Sequence, residues 1–176
     1  MEDPSPADLR DPEKELILIS AYDGIGGARR ALELLCLTPK VFISLEHDED
    51  CAAVVKRAWE DVVHLSDVAD LTEQRLREIL RDKDSRGTLT HGLLIGGPPC
   101  QGLSGINVNR KGMDDPRSQQ IYVFAELAWM LQQKFPRIRW DFLMENVASM
   151  DKADRLIITD VLQRSYRTHA YRFYAA

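Results

Sequence analysis

Two glycines and two prolines, Gly96-Gly97-Pro98-Pro99, cut off the apolar run Gly92-Leu93-Leu94-Ile95, and no other feature restricts the fold of the 176-residue sequence as strongly. Prolines fix φ and remove backbone donors, so neither strand nor helix continues through such a pair. The run before them reads as a buried strand, and Cys100-Gln101 stands at the lip of the turn that ends it. A soft nucleophile at the C-terminal end of a strand lies where an open α/β sheet carries out chemistry. On this stretch alone, a proline-rich loop with an incidental thiol is an equal reading.

The rest of the chain supplies the sheet. Leu16-Ile17-Leu18-Ile19-Ser20 and Val41-Phe42-Ile43-Ser44-Leu45 are continuous apolar runs of the kind buried on both faces of a parallel sheet. Val62-Val63-His64-Leu65 and Trp140-Asp141-Phe142-Leu143-Met144 add a third and a fifth strand around the central fourth. Helical spacing separates them: Ala28, Ala31, Leu32 and Leu35; Cys51, Val54, Val55, Ala58 and Trp59; Leu76, Ile79 and Leu80; Ile121, Phe124, Ala125, Ala128 and Leu131; Leu156, Ile157, Val161 and Leu162. Strand and helix in alternation predict an α/β fold built on a Rossmann-like sheet. Residues 1–15 are expected to form a disordered lead-in and residues 16–176 one domain, with a sixth strand beginning within Thr168–Tyr174. Cys51 and Cys36 are expected to pack in the core, and Asp70 to cap the helix through Leu76.

Three sites along this framework carry chemistry. The first strand runs into Tyr22-Asp23-Gly24-Ile25-Gly26-Gly27 and then a helix, so a ligand can approach the glycine backbone at a positive helix end. Dinucleotide enzymes share this feature, and it is weak alone. Glu46 ends the second strand about 20 residues on, the placement of an acid that binds a ribose diol. Asp67 either accepts from an adenine amine or caps a turn. Gln101 to Ser118 is a long polar loop carrying Arg110, Lys111 and Arg117, suited to closing on a phosphate backbone. Glu145-Asn146-Val147 ends the fifth strand, where a carboxylate is expected to be partly desolvated and able to share a proton with a substrate.

Composition removes several classes. A net charge of −5 argues against a protein that coats nucleic acid with a broadly basic surface. Three cysteines without regular spacing fit a reducing compartment. No apolar run approaches the roughly 20 residues of a membrane span, and the scattered histidines show no metal-ligand spacing. The cytoplasm, or the nucleus of a eukaryote, is the expected location.

The ordered set Tyr22-Asp23-Gly24-Ile25-Gly26-Gly27, Glu46, Asp67-Val68, Pro98-Pro99-Cys100-Gln101, Asp115-Pro116-Arg117-Ser118 and Glu145-Asn146-Val147 resembles the cytosine-5 DNA methyltransferases from about Leu16 to the last residue. The pairing of Pro98-Pro99-Cys100 with Glu145-Asn146-Val147 is the specific part. The resemblance implies a methyltransferase sheet that binds S-adenosylmethionine over the glycine turn. Val68, Pro98 and Tyr22 (where the family usually has phenylalanine) would lie beside it, Glu46 would hold its ribose and Asp67 its adenine amine. It implies attack of Cys100 on C6 of a cytosine flipped from double-stranded DNA, with Glu145 on N3 and the exocyclic amine. Pro99 and Asn146 belong to the same catalytic set. Gln101, Ser104, Arg110, Lys111 and Arg117 would meet nucleic acid, and no metal is implied.

The sequence also departs from the family. A Gln-x-Arg-x-Arg motif, a target-recognition domain and a returning C-terminal segment do not follow the expected sixth strand. Gln163-Arg164-Ser165-Tyr166-Arg167 precedes that strand and is not assigned to the motif. A C-terminally truncated catalytic portion is therefore expected, with a free sheet edge and with site recognition supplied in cis or by a second polypeptide. A non-catalytic paralogue bound to a partner methyltransferase, and an RNA cytosine methyltransferase, are the alternatives.

Overall fold

The structure, a computed structural model, describes residues 15–165. Five strands form one sheet: β1 (Glu15–Ala21), β2 (Val41–Leu45), β3 (Val63–Leu65), β4 (Leu89–Gly96) and β5 (Arg139–Met144). All pairings are parallel, in the order β3-β2-β1-β4-β5. Five helices alternate with them: α1 (Gly27–Leu34), α2 (Glu49–Ala58), α3 (Glu73–Lys83), α4 (Gln120–Lys134) and α5 (Lys152–Ser165). From β1 the chain steps outward to β3, then returns to β4 on the other side of β1. That reversal opens a crevice at the C-terminal ends of β1 and β4, the place where open α/β sheets bind ligands.

The apolar runs form central strands because both of their faces are covered. Ile17, Ile19 and Ala21 of β1 join Val41, Ile43 and Leu45 of β2 in one cluster with Leu76 and Ile79 of α3 and Phe124, Ala128 and Leu131 of α4. The alternate positions Leu18 and Phe42 face the other way, onto Leu32 of α1 and Val55 of α2. There the Phe42 ring meets Trp59 edge-on at 5.8 Å. Two helices on each face are what right-handed crossovers on either side of β1 produce.

Some expectations give way locally. The inward face of α2 is Ala52 and Val55, whereas Cys51 is half-buried in the first turn and Val54 and Ala58 are exposed. The Cys51 N–H donates to Asp48 at 2.9 Å, and this cap sets the rotation of the helix. Cys36 is exposed at φ 58°, just past the end of α1, and packs against nothing apolar in the core. Thr72, rather than Asp70, caps α3 by accepting from Arg75 N–H at 3.1 Å. Asp70 instead closes a reciprocal capping box with Asp67 around the short 3₁₀ turn Val68–Asp70. Residues 1–14 of the expected lead-in and the expected sixth strand lie outside the described residues. Among those described, β5 is an edge strand. Trp140, Phe142 and Met144 pack onto the core cluster, and Arg139, Asp141 and Leu143 alternate with them as exposed residues.

Candidate active site

The crevice has two walls of different construction. The first is the turn after β1. Ser20 and Ser44 are register partners on β1 and β2, and both hydroxyls donate to the buried Asp23 carboxylate, at 2.5 and 2.6 Å. Burial pushes the Asp23 carboxyl above its ordinary pKa, and the two serine bonds hold part of that rise back. Sequence reading placed Asp23 among the ligand-contacting residues; its carboxylate instead turns inward and fastens the turn to both strands. Glu46 is buried at the end of β2. One of its carboxylate oxygens accepts from Gly24 N–H at 2.8 Å and the other from Asp48 N–H at 2.8 Å. The oxygen that accepts from Gly24 retains a second lone pair for a ligand hydroxyl, and the other also lies 3.3 Å from Nδ1 of the exposed His47.

Glycine is required here for two separate reasons. At Gly26, φ is 86° and an added Cβ would stand 2.2 Å from the Trp59 ring. Gly24 is also left-handed, at φ 56°, yet no atom lies within 4 Å of the position its Cβ would take. The turn is therefore backed by an indole on one side and open at Gly24 and Gly27 on the other. Ile25 is exposed beside that opening. Tyr22 occupies the left-handed region at φ 55°, an uncommon conformation for a bulky residue. Its hydroxyl donates to Gln120 at the start of α4, where a backbone oxygen at 3.0 Å and a side-chain oxygen at 2.9 Å share it. Burial, reinforced by the Asp67 charge, pushes the Tyr22 phenol well above its usual pKa. Asp67 itself is exposed and accepts from Ala69 N–H at 2.8 Å, so the capping role is realised. Val68 is buried beneath it.

The second wall is formed by the ends of β4 and β5. Gly96 is the register partner of Met144, and Glu145 N–H donates to Gly96 C=O at 2.9 Å. This brings Pro98, Pro99 and Cys100 alongside Glu145 and Asn146. The Glu145 carboxylate reaches to 3.3 Å from the point where a Gly97 Cβ would stand. The Asn146 side-chain amide donates to Pro98 C=O at 3.4 Å. Cys100 is half-buried, and its carbonyl accepts from both Leu103 and Ser104 N–H at 2.9 Å, which starts a turn directly after the thiol. Glu145 is exposed, in contrast to the partial desolvation expected of it.

The polar segment after Cys100 is pinned at its base. Leu103 and Met113 are buried against Ile121 of α4 and Ile158 of α5. Gly112 N–H donates to Gly102 C=O at 2.9 Å, and the Ser118 hydroxyl donates to Gly112 C=O at 2.9 Å. Residues 103–111 leave this neck as an arc whose ends nearly meet, an Ω-loop. Ile106 and Val108 on the arc are 91% and 93% exposed. The Asn107 amide crosses the arc to Gln101 C=O at 2.8 Å.

Of the basic residues, Lys111 is exposed, while Arg110 and Arg117 are engaged within the protein. Arg110 donates to Asp151 at 2.7 Å and to Ser149 C=O at 3.3 Å. Arg117 forks onto Asp115 at 2.9 and 2.8 Å, and that guanidinium holds the Asp115 carboxyl down at about 2. Sequence reading singled out none of Gln120, Ser149 and Asp151 and gave Trp59 only a place on a helix face, because their roles come from contacts distant in sequence. Among the described residues no group of three His, Cys, Asp or Glu side chains is placed to hold a metal ion, and no helix is long and apolar enough to cross a membrane.

Comparison with known proteins gives this geometry a context. Residues 16–175 match the family described as C-5 cytosine-specific DNA methylase. Type II methyltransferase M.AquIA of Picosynechococcus sp. is 30% identical over 152 residues, which are 83% of this chain and 56% of that protein. DNA (cytosine-5)-methyltransferase DRM2 of Oryza sativa subsp. japonica is 30% identical over 116 residues, 62% of this chain and 19% of that protein. The chain thus spans between about a fifth and just over half the length of these relatives. Among solved structures, a mutant of Spodoptera frugiperda DNMT2 superposes with a TM-score of 0.56 at 22% identity, covering 86% of this chain and 41% of that one. Entamoeba histolytica methyltransferase EhMeth superposes at 0.55 with 18% identity, over 86% and 44%. Likeness at that identity shows the shared fold alone.

Proposed function

The chain belongs to the C-5 cytosine-specific DNA methylase family, and from that premise we propose that it carries the cofactor-binding and catalytic portion of an enzyme methylating C5 of cytosine in DNA through a covalent Cys100–C6 bond. The observation that carries this reading is the junction of β4 and β5. The Glu145 N–H bond to Gly96 and the Asn146 bond to Pro98 hold a half-buried thiol and an exposed carboxylate on adjacent strand ends.

The turn between β1 and α1 suits S-adenosylmethionine. Its glycine backbone is open at Gly24 and Gly27, and Glu46 is fixed by two N–H donors with a lone pair to spare for a ribose hydroxyl. Val68, Pro98 and Tyr22 would lie beside the cofactor, and Asp67 would accept from its adenine amine. When bound, the cofactor supplies an electrophilic methyl group to C5. The protein's own part begins with the Cys100 sulfur, which forms a bond to C6 as its proton leaves, moving the C5–C6 π electrons onto C5. Glu145 would hydrogen-bond N3 of the ring and the exocyclic amine, stabilising the charge that develops as sulfur adds. Pro99 and Asn146 keep the thiol and the carboxylate in register. Loss of the C5 proton to a base then restores the C5–C6 double bond and expels the Cys100 thiolate. The target cytosine must leave the base stack for C6 to be reached. Gln101, Ser104, Arg110, Lys111 and Arg117 are the groups nearest to meet the backbone, with site recognition supplied from outside these residues, in the same polypeptide or a second one.

Covalent trapping tests the reading. The protein is incubated with S-adenosylmethionine and a duplex bearing 5-fluorocytosine, whose fluorine cannot leave as a proton does. An adduct stable to denaturing electrophoresis, absent for Cys100→Ser, is the expected result. S-adenosylmethionine binding with no adduct, on this duplex or on a structured RNA with the same base, and with or without a target-recognition partner, would overturn the covalent mechanism.

A further inference from the structure

The arc after Cys100 is docked on the segment that follows Glu145, and one ion pair holds its basic end. Gly105 N–H donates to the Ser149 hydroxyl at 3.0 Å, and Arg110 donates to Ser149 C=O at 3.3 Å and to Asp151 at 2.7 Å. Just beyond, Met113 N–H donates to Asp154 at 3.1 Å. The two ends of this seam differ in kind. At Met113 the contact is buried in the apolar cluster of Leu103, Ile121 and Ile158. At Arg110 it is open to water, the Arg110 side chain being 27% exposed and that of Asp151 60% exposed.

We infer that Asp151 is a positioning residue that parks Arg110 against the protein in the absence of nucleic acid and releases it to a backbone phosphate when the arc meets a duplex. This rests on the nucleic-acid substrate of the proposed function and adds to it a competition between an internal carboxylate and an external phosphate for one guanidinium. The chemistry of the exchange is balanced. Arg110 loses two acceptors, the Asp151 carboxylate and the Ser149 carbonyl, and a phosphate presents two oxygens to the same fork. An exposed ion pair is weak enough to be given up, and salt screens it. Ser149 and Asp151 follow Glu145 by four and six residues, so the exchange takes place just beyond the strand end that carries the carboxylate, which its own bonds to Gly96 and Pro98 keep in place. Gly105 lies between the parked arginine and the thiol, and its N–H rests on the same Ser149 that holds Arg110, so its docking is tied to whether Arg110 is held.

The test is a double-mutant cycle in the full chain with Asp151→Asn, Arg110→Ala and the pair, read in two ways. Asp151 is exposed, so the asparagine variant is expected to fold. Without nucleic acid, tryptic cleavage after Lys111, a site all four proteins share, should be faster in Asp151→Asn than in wild type, and equal in the two Arg110→Ala backgrounds. With a fluorescent duplex and S-adenosylmethionine, Asp151→Asn should bind about two- to five-fold tighter, the range of an exposed ion pair, and the gain should vanish in the Arg110→Ala background. A gain that persists there would reduce Asp151 to simple repulsion of phosphate and overturn the inference. Unchanged cleavage would overturn the parking itself, whatever the binding shows. Failure of every variant to bind the duplex would sink the hand-over along with the nucleic-acid reading, and the cleavage arm would still decide the parking.

Discussion

The two walls of the crevice are built on opposite plans. Around the glycine turn the polar groups face inward: Ser20 and Ser44 hold Asp23, Gly24 and Asp48 hold Glu46, and Gln120 holds Tyr22. Around Cys100 they face outward, with Glu145 exposed, Lys111 exposed, and Ile106 and Val108 almost wholly in solvent. The first wall is complete before any ligand arrives. The second is a set of groups fixed at their roots and open at their tips. On the proposed function, preorganisation sits where the same small ligand would bind on every cycle, and adaptability where the other partner would be a long polymer.

Substitutions grade this contrast, and the largest effect belongs to the inward wall. Gly26→Ala would drive a methyl into the Trp59 ring in a left-handed conformation, and is expected to cost about 2–4 kcal/mol in chemical denaturation. A loss below about 0.5 kcal/mol would mean that the indole moves freely and the wall is not rigid. Glu46→Gln removes one of two carboxylate acceptors and sets an amide against a backbone N–H. A loss of about 1–3 kcal/mol is expected by the same measurement, together with weaker S-adenosylmethionine binding by calorimetry.

Asp115 lies at the foot of the arc and gives an intermediate case. Its folded pKa, about 2, is below the ordinary 3.8, so its contribution is fully present above 3.8 and fades as pH falls toward 2. The acid limb of the stability profile should therefore be shallower in Asp115→Asn across that window, and an unchanged slope would show that the Arg117 pair contributes nothing there. The smallest effect belongs to the tip. Ile106→Ser with Val108→Ser should change the unfolding free energy by no more than about 0.5 kcal/mol. A larger loss would mean that these side chains pack against the fold.

The strands were legible because both faces of each central strand are buried, so their apolar runs lack alternation and stand out. The thiol and the Glu145-Asn146 pair were legible too, since prolines and a strand end fix backbone position without help from distant residues. Side-chain direction was not. In Cys51-Ala52-Ala53-Val54-Val55 small or apolar residues surround the helix, so periodicity alone does not choose between Ala52 with Val55 and Cys51 with Val54; the Asp48 cap does. The inward turn of Asp23 depends on Ser20 standing opposite Ser44, a pairing register that exists only once β1 and β2 meet. Arg110 read as a free cation because its acid partner is 41 residues away. Glu145 read as sheltered because it directly follows an apolar run, and the local sequence does not mark what covers the end of that strand.

The neck between Gly102 and Gly112 has a consequence for engineering. Leu103 and Met113 are buried at the two ends of the arc, and between them it is attached through the polar contacts of Gly105, Asn107 and Arg110, so residues 104–111 form an exchangeable cassette. Length and sequence can vary between the anchors without altering the spacing of Cys100 from α4. The cost of lengthening such a loop grows only slowly, by about 0.6 kcal/mol per doubling. A library confined to those eight positions would change what the tip reaches while leaving the thiol and its neighbouring carboxylate in place.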